Sequence, residues 1–361
     1  MLLEEPKWWY KKQQANTAQL LRPLGWVVAM LARRRLETSQ TAGQVPIPVL
    51  CVGNFVAGGT GKTPLARCVA DFLKKSGYRP AFLTRGYGGK LRGPHIVKAD
   101  ADKAVDIGDE AILLARTGPT VVARDRLAGA QFIVANDLGD TIVMDDGLQN
   151  PTLKKDLTIA VVDHSRGIGN GLVIPAGPLR ARLADQLAVT DVLVVNMGTG
   201  AQSADEKTGD IDRCGPWWGP FATFRGPKFA VSVVPEGSVT WLRGLDVVAY
   251  AGIANPQRFY ELVRDLGGKV VATRSFPDHH NLSEIEANTL LDLAKSSAAQ
   301  LVTTEKDFAR LSRDCRAQRK LADQSRVLAI SSQVAKEQEQ DFAMLLAKAS
   351  GGANYPLDRI G

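Results

Sequence analysis

The sequence predicts an α/β protein whose core is a parallel sheet covered by helices. One observation is the stretch from residue 45 to 72, in which a short apolar run, a glycine-rich turn and a helical pattern follow one another. Another is that short apolar runs alternate with helical patterns along much of the 361-residue chain. Such runs are typical of buried parallel strands joined by helical crossovers. We therefore expect ligands to bind beyond the carboxyl ends of the strands.

The glycine-rich turn predicts a phosphate-binding loop, and hence a core of the P-loop NTPase type. Pro64 fits the first turn of the following helix, because the N–H that proline lacks would be unpaired there. Glycines let backbone N–H groups close around an anion, and the helix N-terminus adds positive potential. We expect Lys62 to reach the β- and γ-phosphates of a nucleotide and the Thr63 hydroxyl to bind Mg²⁺. The predicted nucleotide-binding residues are Ala57, Gly58, Gly59, Thr60, Gly61, Lys62 and Thr63.

The loop matches neither of two common subtypes. The strict pattern has glycine five residues before Gly61, where this chain has Val56. The loop of partitioning ATPases has a signature lysine before the paired glycines, where Ala57 stands. A GTPase would carry an Asn-Lys-x-Asp motif after a late strand, and Asn196-Met197-Gly198-Thr199 does not match it. Preference for GTP over ATP, or ATP-dependent dimerisation on lipid, would support one of these alternatives.

Charge and cysteine content narrow the class of protein only in part. The net charge of +7 suits an anionic partner, whether nucleotide, nucleic acid or acidic lipid. The four cysteines, Cys51, Cys68, Cys214 and Cys315, lack the spacing of a metal site. We expect a reducing compartment and no disulfides.

Residues 1–40 form a segment unlike the rest of the chain. Trp8, Trp9 and Tyr10 precede Lys11 and Lys12, and an apolar stretch containing Trp26 then ends near three arginines, Arg33 to Arg35. No apolar run approaches the ~20 residues that span a bilayer. The pattern fits a helix lying in the membrane interface. A helix packed on the core, with its cations in water, is the alternative.

We expect the remaining chain to consist of a P-loop core, a linker and a second domain. We expect the P-loop core at 41–228, with a boundary segment rich in Gly, Asp, Thr and Pro at 198–228 that contains Trp217 and Trp218. The predicted two-stranded linker is 229–241, in which Phe229–Val234 pairs with Ser238–Trp241. A smaller α/β domain is expected at 242–350, ending with a helix near 337–349, and a tail at 351–361.

Acidic residues follow two of the predicted elements. Asp145 and Asp146 end an apolar strand, where a Walker B element places a carboxylate near Mg²⁺. The alternative is that the pair only stabilises a turn, as aspartates at strand ends often do. Asp109 and Glu110 open a helix, where they are either site residues or caps. Arginines that lie in or beside predicted loops are candidates for holding phosphate: Arg85, Arg124, Arg126 and Arg180.

Two of the four histidines are adjacent, in Phe276-Pro277-Asp278-His279-His280. Neighbouring histidines tend to point in different directions, so a two-histidine metal site is not expected. One of them is a candidate for tuning a carboxylate, and a solvated turn is the alternative. The segment Thr303 to Asp307 begins another helix, and it either caps that helix or supplies a second basic contact in the site.

These motifs together resemble the tetraacyldisaccharide 4′-kinase family of lipid A biosynthesis. The likeness covers nearly the whole chain and rests on VGNFVAGGTGKTP, RGYGG, GDE, DDGLQN, PAGPLR, FPDHH and TTEKD in that order. Members of that family also lack the strict glycine and the signature lysine at the positions of Val56 and Ala57. The resemblance implies a P-loop core joined by a two-stranded linker to a smaller domain.

The resemblance also implies an activity and a location. The expected reaction transfers the γ-phosphate of ATP, with Mg²⁺, to the 4′-hydroxyl of a lipid A disaccharide 1-phosphate. The expected enzyme is peripheral on the cytoplasmic face of the bacterial inner membrane, whose anionic surface it binds, and it has no nucleic-acid partner. Another membrane-associated P-loop ATPase or a small-molecule kinase is the alternative.

The resemblance assigns site roles residue by residue. Lys62 and Thr63 fall on the phosphate and metal positions, and Asp145, Asp146 and Gln149 fall on the family's Walker B segment. Asp109 falls on the catalytic base, His279 on the histidine that supports it, and Glu110 on a neighbouring acidic residue for which we expect a metal role. Arg126 and Arg180 fall on basic site residues, and we expect both of them, together with Gln149, to bind substrate or phosphate. Leu148, Asn150 and Ala181 depart from the family pattern, and Ala181, where glutamate is usual, leaves the metal coordination open.

Overall fold

The computed structural model describes residues 6–10, 16–37, 42–199 and 219–351. Outside them lie Lys11 and Lys12, Cys214, the tryptophans Trp217 and Trp218 within 200–218, and the tail from residue 352.

The described strands form two sheets. They are β1 Val49–Asn54, β2 Pro80–Thr84, β3 His95–Ile96, β4 Thr120–Val122, β5 Thr141–Asp145, β6 Leu157–Asp163, β7 Val192–Gly198, β8 Lys228–Pro235, β9 Asp246–Ala251, β10 Lys269–Ser275, β11 Gln300–Thr304, β12 Ser325–Leu328 and β13 Ile330–Val334. The core sheet has the order β13-β8-β7-β6-β1-β5-β2-β4-β3, and the smaller sheet has the order β10-β9-β11-β12. Neighbouring strands are parallel except at the two edges of the core sheet, where β3 and β13 run antiparallel. The predicted parallel α/β core is confirmed.

Helices cover both sheets. They are α1 Asn16–Glu37, α2 Lys62–Lys75, α3 Ala104–Ile107, α4 Asp109–Ala115, α5 Arg126–Ala135, α6 Leu183–Leu187, α7 Pro256–Asp265, α8 Glu284–Ser296, α9 Glu305–Arg310, α10 Arg316–Gln324 and α11 Glu339–Ala349. All six residues of β1 are buried, with β5 on one side and β6 on the other. Strands covered on both faces have no solvent side, which explains why they read as continuous apolar runs.

The predicted linker pairing is wrong. Residues 238–241 form no strand, and Thr240–Leu242 is a turn of 3₁₀ helix whose Leu242 is buried among apolar residues of the smaller sheet. The strand β8 pairs instead with β13, with Ser331 opposite Val234. Burial of Leu242 therefore outweighs the local hairpin that the turn at Gly237 favours. Two strands still connect the sheets, but one of them comes from much later in the chain.

The C-terminal helix α11 belongs with the core sheet and not with the smaller one. Phe342 and Leu346 are buried against Leu50 and Leu65, and the ring of Phe342 packs edge-on against Phe229 at 4.9 Å between centroids. The prediction that placed this helix at the end of the second domain is therefore corrected. After β13 the chain has already returned to the core sheet, so the nearest apolar surface is there.

The N-terminal helix α1 packs on the core through one face and exposes large apolar side chains on the other. Small residues make the close contact, since a Cβ on Gly25 would lie 2.8 Å from the Val173 carbonyl oxygen. Leu20 is 79% exposed and Trp26 is 65% exposed. Among the described residues, no helix is long and apolar enough to cross a membrane. The packed helix thus leaves an apolar face uncovered.

Candidate active site

The phosphate loop lies between β1 and α2, at the carboxyl edge of the core sheet. The Asn54 side-chain amide donates to the Gly58 carbonyl at 3.3 Å and to the Thr60 hydroxyl at 3.0 Å. Asn196, at the end of β7, donates to the Thr60 carbonyl at 3.0 Å. Gly61 has a φ of 90°, and a Cβ there would lie 2.5 Å from the Asn196 amide nitrogen, so only glycine fits. Two strand-end asparagines therefore hold the loop in a fixed shape.

The predicted phosphate and metal residues of the loop lie at the start of α2. Lys62 and Thr63 are both buried, and the Lys62 ammonium lies 3.9 Å from an oxygen of Asp146. The backbone N–H of Ala57 donates to the Pro178 carbonyl at 2.8 Å. Because this N–H is already hydrogen-bonded within the protein, it is not the group through which we expect Ala57 to contact a nucleotide.

The two aspartates at the end of β5, Asp145 within the strand and Asp146 after it, have opposite environments. Asp146 accepts a hydrogen bond from Arg180 at 2.7 Å. Burial opposes its ionisation, but the charges of Lys62 and Arg180 hold its pKa well below the usual range. Asp145 is fully buried, and neither of its carboxylate oxygens has a hydrogen-bond partner among the described residues. Burial and the nearby charges of Glu110 and Asp146 raise the pKa of Asp145 to about 7.

The unpartnered Asp145 carboxylate fits Mg²⁺. A buried carboxylate without a donor is costly unless a cation is held beside it. Among the described residues, no group of three or more His, Cys, Asp or Glu side chains could hold a metal ion by itself. Mg²⁺ does not need such a group, because it is commonly bound through one or two carboxylates together with phosphate oxygens and water.

Polar side chains brace the segment around Asp146. Gln149 donates to the Asn54 carbonyl and to the Gln186 side chain, both at 2.8 Å, and accepts from Arg180 at 3.3 Å. The fully buried Gln186 donates to the Ala181 carbonyl at 2.9 Å. The predicted substrate contact of Gln149 stays a prediction, because its side chain is already engaged by the protein.

Arg126 is buried at the start of α5, where it donates to the Ala123 carbonyl at 2.6 Å. Burial lowers its pKa to about 10, although the charge of Asp146 acts in the opposite direction. Its Nε has no partner among the described residues. A buried guanidinium near the aspartates is compatible with the predicted phosphate contact.

A second cluster joins the two sheets across the cleft. The Asp109 Oδ2 atom lies 3.3 Å from Nδ1 of His279, in the turn after β10. Arg310 of α9 donates to the same oxygen through Nε at 2.7 Å and also through Nη2. The Lys306 ammonium binds Glu110 at 2.6 Å. The structure thus brings together Asp109, Glu110, His279 and Lys306, four residues from motifs that are far apart in the chain.

The charges of this cluster shift its pKa values in opposite directions. Burial opposes the ionisation of Asp109, but the hydrogen bond to His279 and the charge of Arg310 hold its pKa well below the usual range. Burial lowers the pKa of His279, and its hydrogen bond to Asp109 more than offsets that effect, so the net pKa is raised. The pair therefore favours a carboxylate beside a readily protonated imidazole.

Three further observations concern the backbone at Asp146 and His279, the second histidine, and the segment that begins α9. Four described non-glycine residues have a positive φ, and Asp146 and His279 are two of them. Unfavourable backbone conformations tend to cluster at functional sites. His280 points elsewhere and binds Glu286 at 3.0 Å, as the expected divergence of the two histidines requires. Thr304 caps α9, while Lys306 makes the basic contact, so both interpretations of that segment are correct.

Sequence reasoning missed Arg310, Asn54 and Asn196. A polar residue ending a buried strand was a usable signal for the two asparagines. Nothing local marked Arg310, since an arginine in the last turn of a short helix is typical of solvated surface.

Known proteins match this chain over most of its length. The family model for tetraacyldisaccharide-1-P 4′-kinase matches residues 17–350. A tetraacyldisaccharide 4′-kinase of Methylorubrum extorquens (strain PA1) is 45% identical over 318 residues, which cover 87% of this chain and 91% of the relative. The enzyme of the same name from Nitrobacter winogradskyi is 43% identical over 311 residues, which cover 86% and 87%. The crystal structure of LpxK from Aquifex aeolicus in complex with ATP aligns with a TM-score of 0.71 at 23% identity, covering 92% of this chain and 99% of that one.

Proposed function

Because the chain belongs to the tetraacyldisaccharide-1-P 4′-kinase family, we propose that it transfers the γ-phosphate of ATP to the 4′-hydroxyl of a tetraacyldisaccharide 1-phosphate in lipid A biosynthesis. The observation that carries the proposal is the contact of Asp109 with His279, next to Glu110, whose charge interacts with Lys62 of the phosphate loop. A kinase of a sugar hydroxyl needs a phosphate cradle, a carboxylate for Mg²⁺ and a group that accepts the hydroxyl proton.

The phosphate loop and its lysine hold the nucleotide in this proposal. Backbone N–H groups of Gly58 to Gly61 surround the β- and γ-phosphates, and Lys62 carries the opposing charge. Thr63 and Asp145 would hold Mg²⁺, which when bound neutralises charge on the transferred phosphoryl group. Arg180 ties Asp146 and Gln149 together, so the segment beside Asp145 keeps its shape.

The proton of the acceptor hydroxyl goes to the Asp109–His279 pair. The hydroxyl oxygen bonds to the γ-phosphorus while the bond from that phosphorus to the β–γ bridging oxygen breaks, and ADP leaves. Because the pKa of Asp109 is held below its usual range, the aspartate alone is a weak base at neutral pH, and sharing the proton with the His279 imidazole helps. Asp109 begins α4, which packs on the core sheet, and His279 follows β10 of the smaller sheet, so the pair forms only when the cleft between the sheets is closed.

The lipid substrate reaches the site from a membrane surface in the same proposal. The exposed apolar face of α1 would lie in the headgroup region, with Arg22 and the arginines of its last turns near anionic lipid. We place the enzyme peripherally on the cytoplasmic face of the inner membrane, without a nucleic-acid partner.

The test is a phosphoryl-transfer assay with purified protein, labelled ATP and tetraacyldisaccharide 1-phosphate. The expected product is a doubly phosphorylated lipid. An acceptor already phosphorylated at the 4′ position is the matched control and should take up no label. Labelling of that control, or turnover with GTP but not with ATP, would overturn the proposal.

A further inference from the structure

We propose that Arg310 is a positioning residue that assembles the Asp109–His279 pair across the two sheets. The inference rests on the proposed function, because it concerns the groups that accept the hydroxyl proton. It is carried by the contacts of a single guanidinium that is only 4% exposed.

One side of the guanidinium holds the carboxylate. Arg310 donates to Oδ2 of Asp109 through two nitrogens, Nε and Nη2. Two donors on one oxygen fix both the position and the plane of the carboxylate more firmly than a single ammonium does. The other oxygen, Oδ1, accepts the Glu110 backbone N–H at 2.9 Å. The carboxylate is therefore held in one orientation.

The other side holds the turn that carries the histidine. Arg310 Nη1 donates to the Gly252 carbonyl at 2.7 Å, and the same carbonyl accepts the backbone N–H of His279 at 3.2 Å. Asp307 closes the arrangement, since its Oδ1 accepts from both Arg310 Nη1 at 2.9 Å and the Gly252 N–H at 2.8 Å. The Arg310 side chain thus fixes the backbone of His279 as well as the carboxylate that His279 faces.

The distances between these groups make the role specific. The Arg310 Nη2 atom lies 3.5 Å from His279 Nδ1, and both point at the same oxygen of Asp109. Removing the guanidinium would leave a buried carboxylate without its main counter-charge and free the Gly252 turn. A displacement of about 1 Å in such a site can lower turnover about 100-fold.

A second arginine crosses the same interface and offers a matched control. Arg258 of α7 binds Asp163, at the end of β6, at 2.6 Å, and Asp163 is buried. Among the described residues, neither Arg258 nor Asp163 has a hydrogen bond or ion pair with Asp109 or His279. Arg258→Met therefore removes an ion pair between the sheets without touching the proton-accepting pair.

The first measurement compares kcat and KM for ATP in Arg310→Met, Arg310→Lys and Arg258→Met. We expect Arg310→Met to lower kcat about 100-fold while KM for ATP changes less than about threefold. Arg310→Lys should recover at least about tenfold of that loss, because an ammonium supplies the charge but not the second donor. Arg258→Met should stay within about fivefold of the parent enzyme. Equal losses in Arg310→Met and Arg258→Met, or unchanged kcat in Arg310→Met, would overturn the inference.

The second measurement does not depend on the substrate and separates this inference from the proposed function. The chain has four histidines, so the ring ¹⁵N resonances of His279 can be assigned with a His279→Gln variant. We expect these resonances to move in Arg310→Met and to return toward the parent values in Arg310→Lys, while Arg258→Met leaves them in place. If Arg310→Met does not fold, Arg310→Gln, which also removes the charge, carries the comparison. Unchanged His279 resonances in folded Arg310→Met or Arg310→Gln would overturn the positioning role, whatever lipid the enzyme phosphorylates.

Discussion

Asp145 and Asp146 are neighbours in the chain, yet only Asp146 of the two forms ion pairs with other described residues. Asp146 binds Arg180 at 2.7 Å and lies 3.9 Å from Lys62, whereas both carboxylate oxygens of Asp145 lack a partner in the part of the chain that is described. The turn that begins at Asp146, with its φ of 53°, sends the two side chains in different directions. One carboxylate is therefore held by the protein, and the other is the one that we predict to bind Mg²⁺.

This difference predicts an unusual effect of Asp145→Asn on stability. The pKa of Asp145 is raised from 3.8 to about 7, so the folded protein holds a proton that the unfolded chain has lost between these pH values. Ionised Asp145 therefore costs stability above pH 7, and this cost disappears as the pH falls toward 4. In EDTA, Asp145→Asn should raise the melting temperature at pH 8 by at least ~3 °C, with a smaller gain at pH 5.

The complementary measurement is the melting temperature after Mg²⁺ is added. Added Mg²⁺ should stabilise the parent protein at pH 8 more than Asp145→Asn, because a ligand that binds only the folded state raises its stability. Asp163→Asn is the control, since that buried carboxylate already has Arg258 as its partner. A melting temperature of Asp145→Asn that is lower than that of the parent at pH 8 would contradict the prediction.

Lys62→Ala should remove a charge directed at the transferring phosphoryl group. Electrostatic stabilisation is usually the largest contribution in such chemistry, so we expect kcat/KM to fall at least ~100-fold. The circular dichroism spectrum should stay that of the parent, since the ion pair of Lys62 with Asp146 is long, at 3.9 Å. Near-normal turnover would show that the loop has a structural role only.

The exposed face of α1 predicts membrane binding. Replacing Leu24, Trp26 and Val27 by serine should shift the protein from sedimenting with anionic vesicles to the supernatant, because buried apolar area drives interfacial binding. Activity on detergent-dispersed lipid should fall less than activity on vesicles. Val28 is left unchanged, because it packs against the core.

Ile285→Ser is the matched control for that experiment. Ile285 is 79% exposed, like Leu20, but lies on α8 of the smaller sheet. The Ile285→Ser variant should bind vesicles as the parent protein does. If the triple variant of α1 sediments with vesicles as the parent does, the membrane contact lies on another surface.

The sequence predicted those parts of the fold and site that depend on local patterns. The loop before Lys62, the strand ending at Asp145 and the turn containing His279 each carry their signal in a few consecutive residues. The pairing of β8 with β13 was missed because a nearby turn offered a local partner, whereas the real partner follows the whole second sheet. Arg310 was missed for the same physical reason, since its role depends on a contact with Asp109 that only the folded chain creates.

The last prediction concerns the Asp109–His279 pair as one unit. Each of Asp109→Ala and His279→Ala should lower kcat by roughly 10²–10⁴-fold, because proton transfer by a positioned group contributes about that much. Nucleotide binding should change little, since the pair lies on the acceptor side of the phosphate loop in the proposed arrangement. The measurement is steady-state kinetics of the two single variants and the double variant, together with ATP binding by calorimetry.

The double variant decides whether the two residues cooperate. The 3.3 Å contact between Nδ1 and Oδ2 implies that either residue alone cannot share the proton, so the loss in the double variant should equal about that of the worse single variant. Fully multiplicative losses would show that Asp109 and His279 act separately. A normal kcat in His279→Ala would remove His279 from the reaction, and the contact with Asp109 would then serve only to hold the two sheets together.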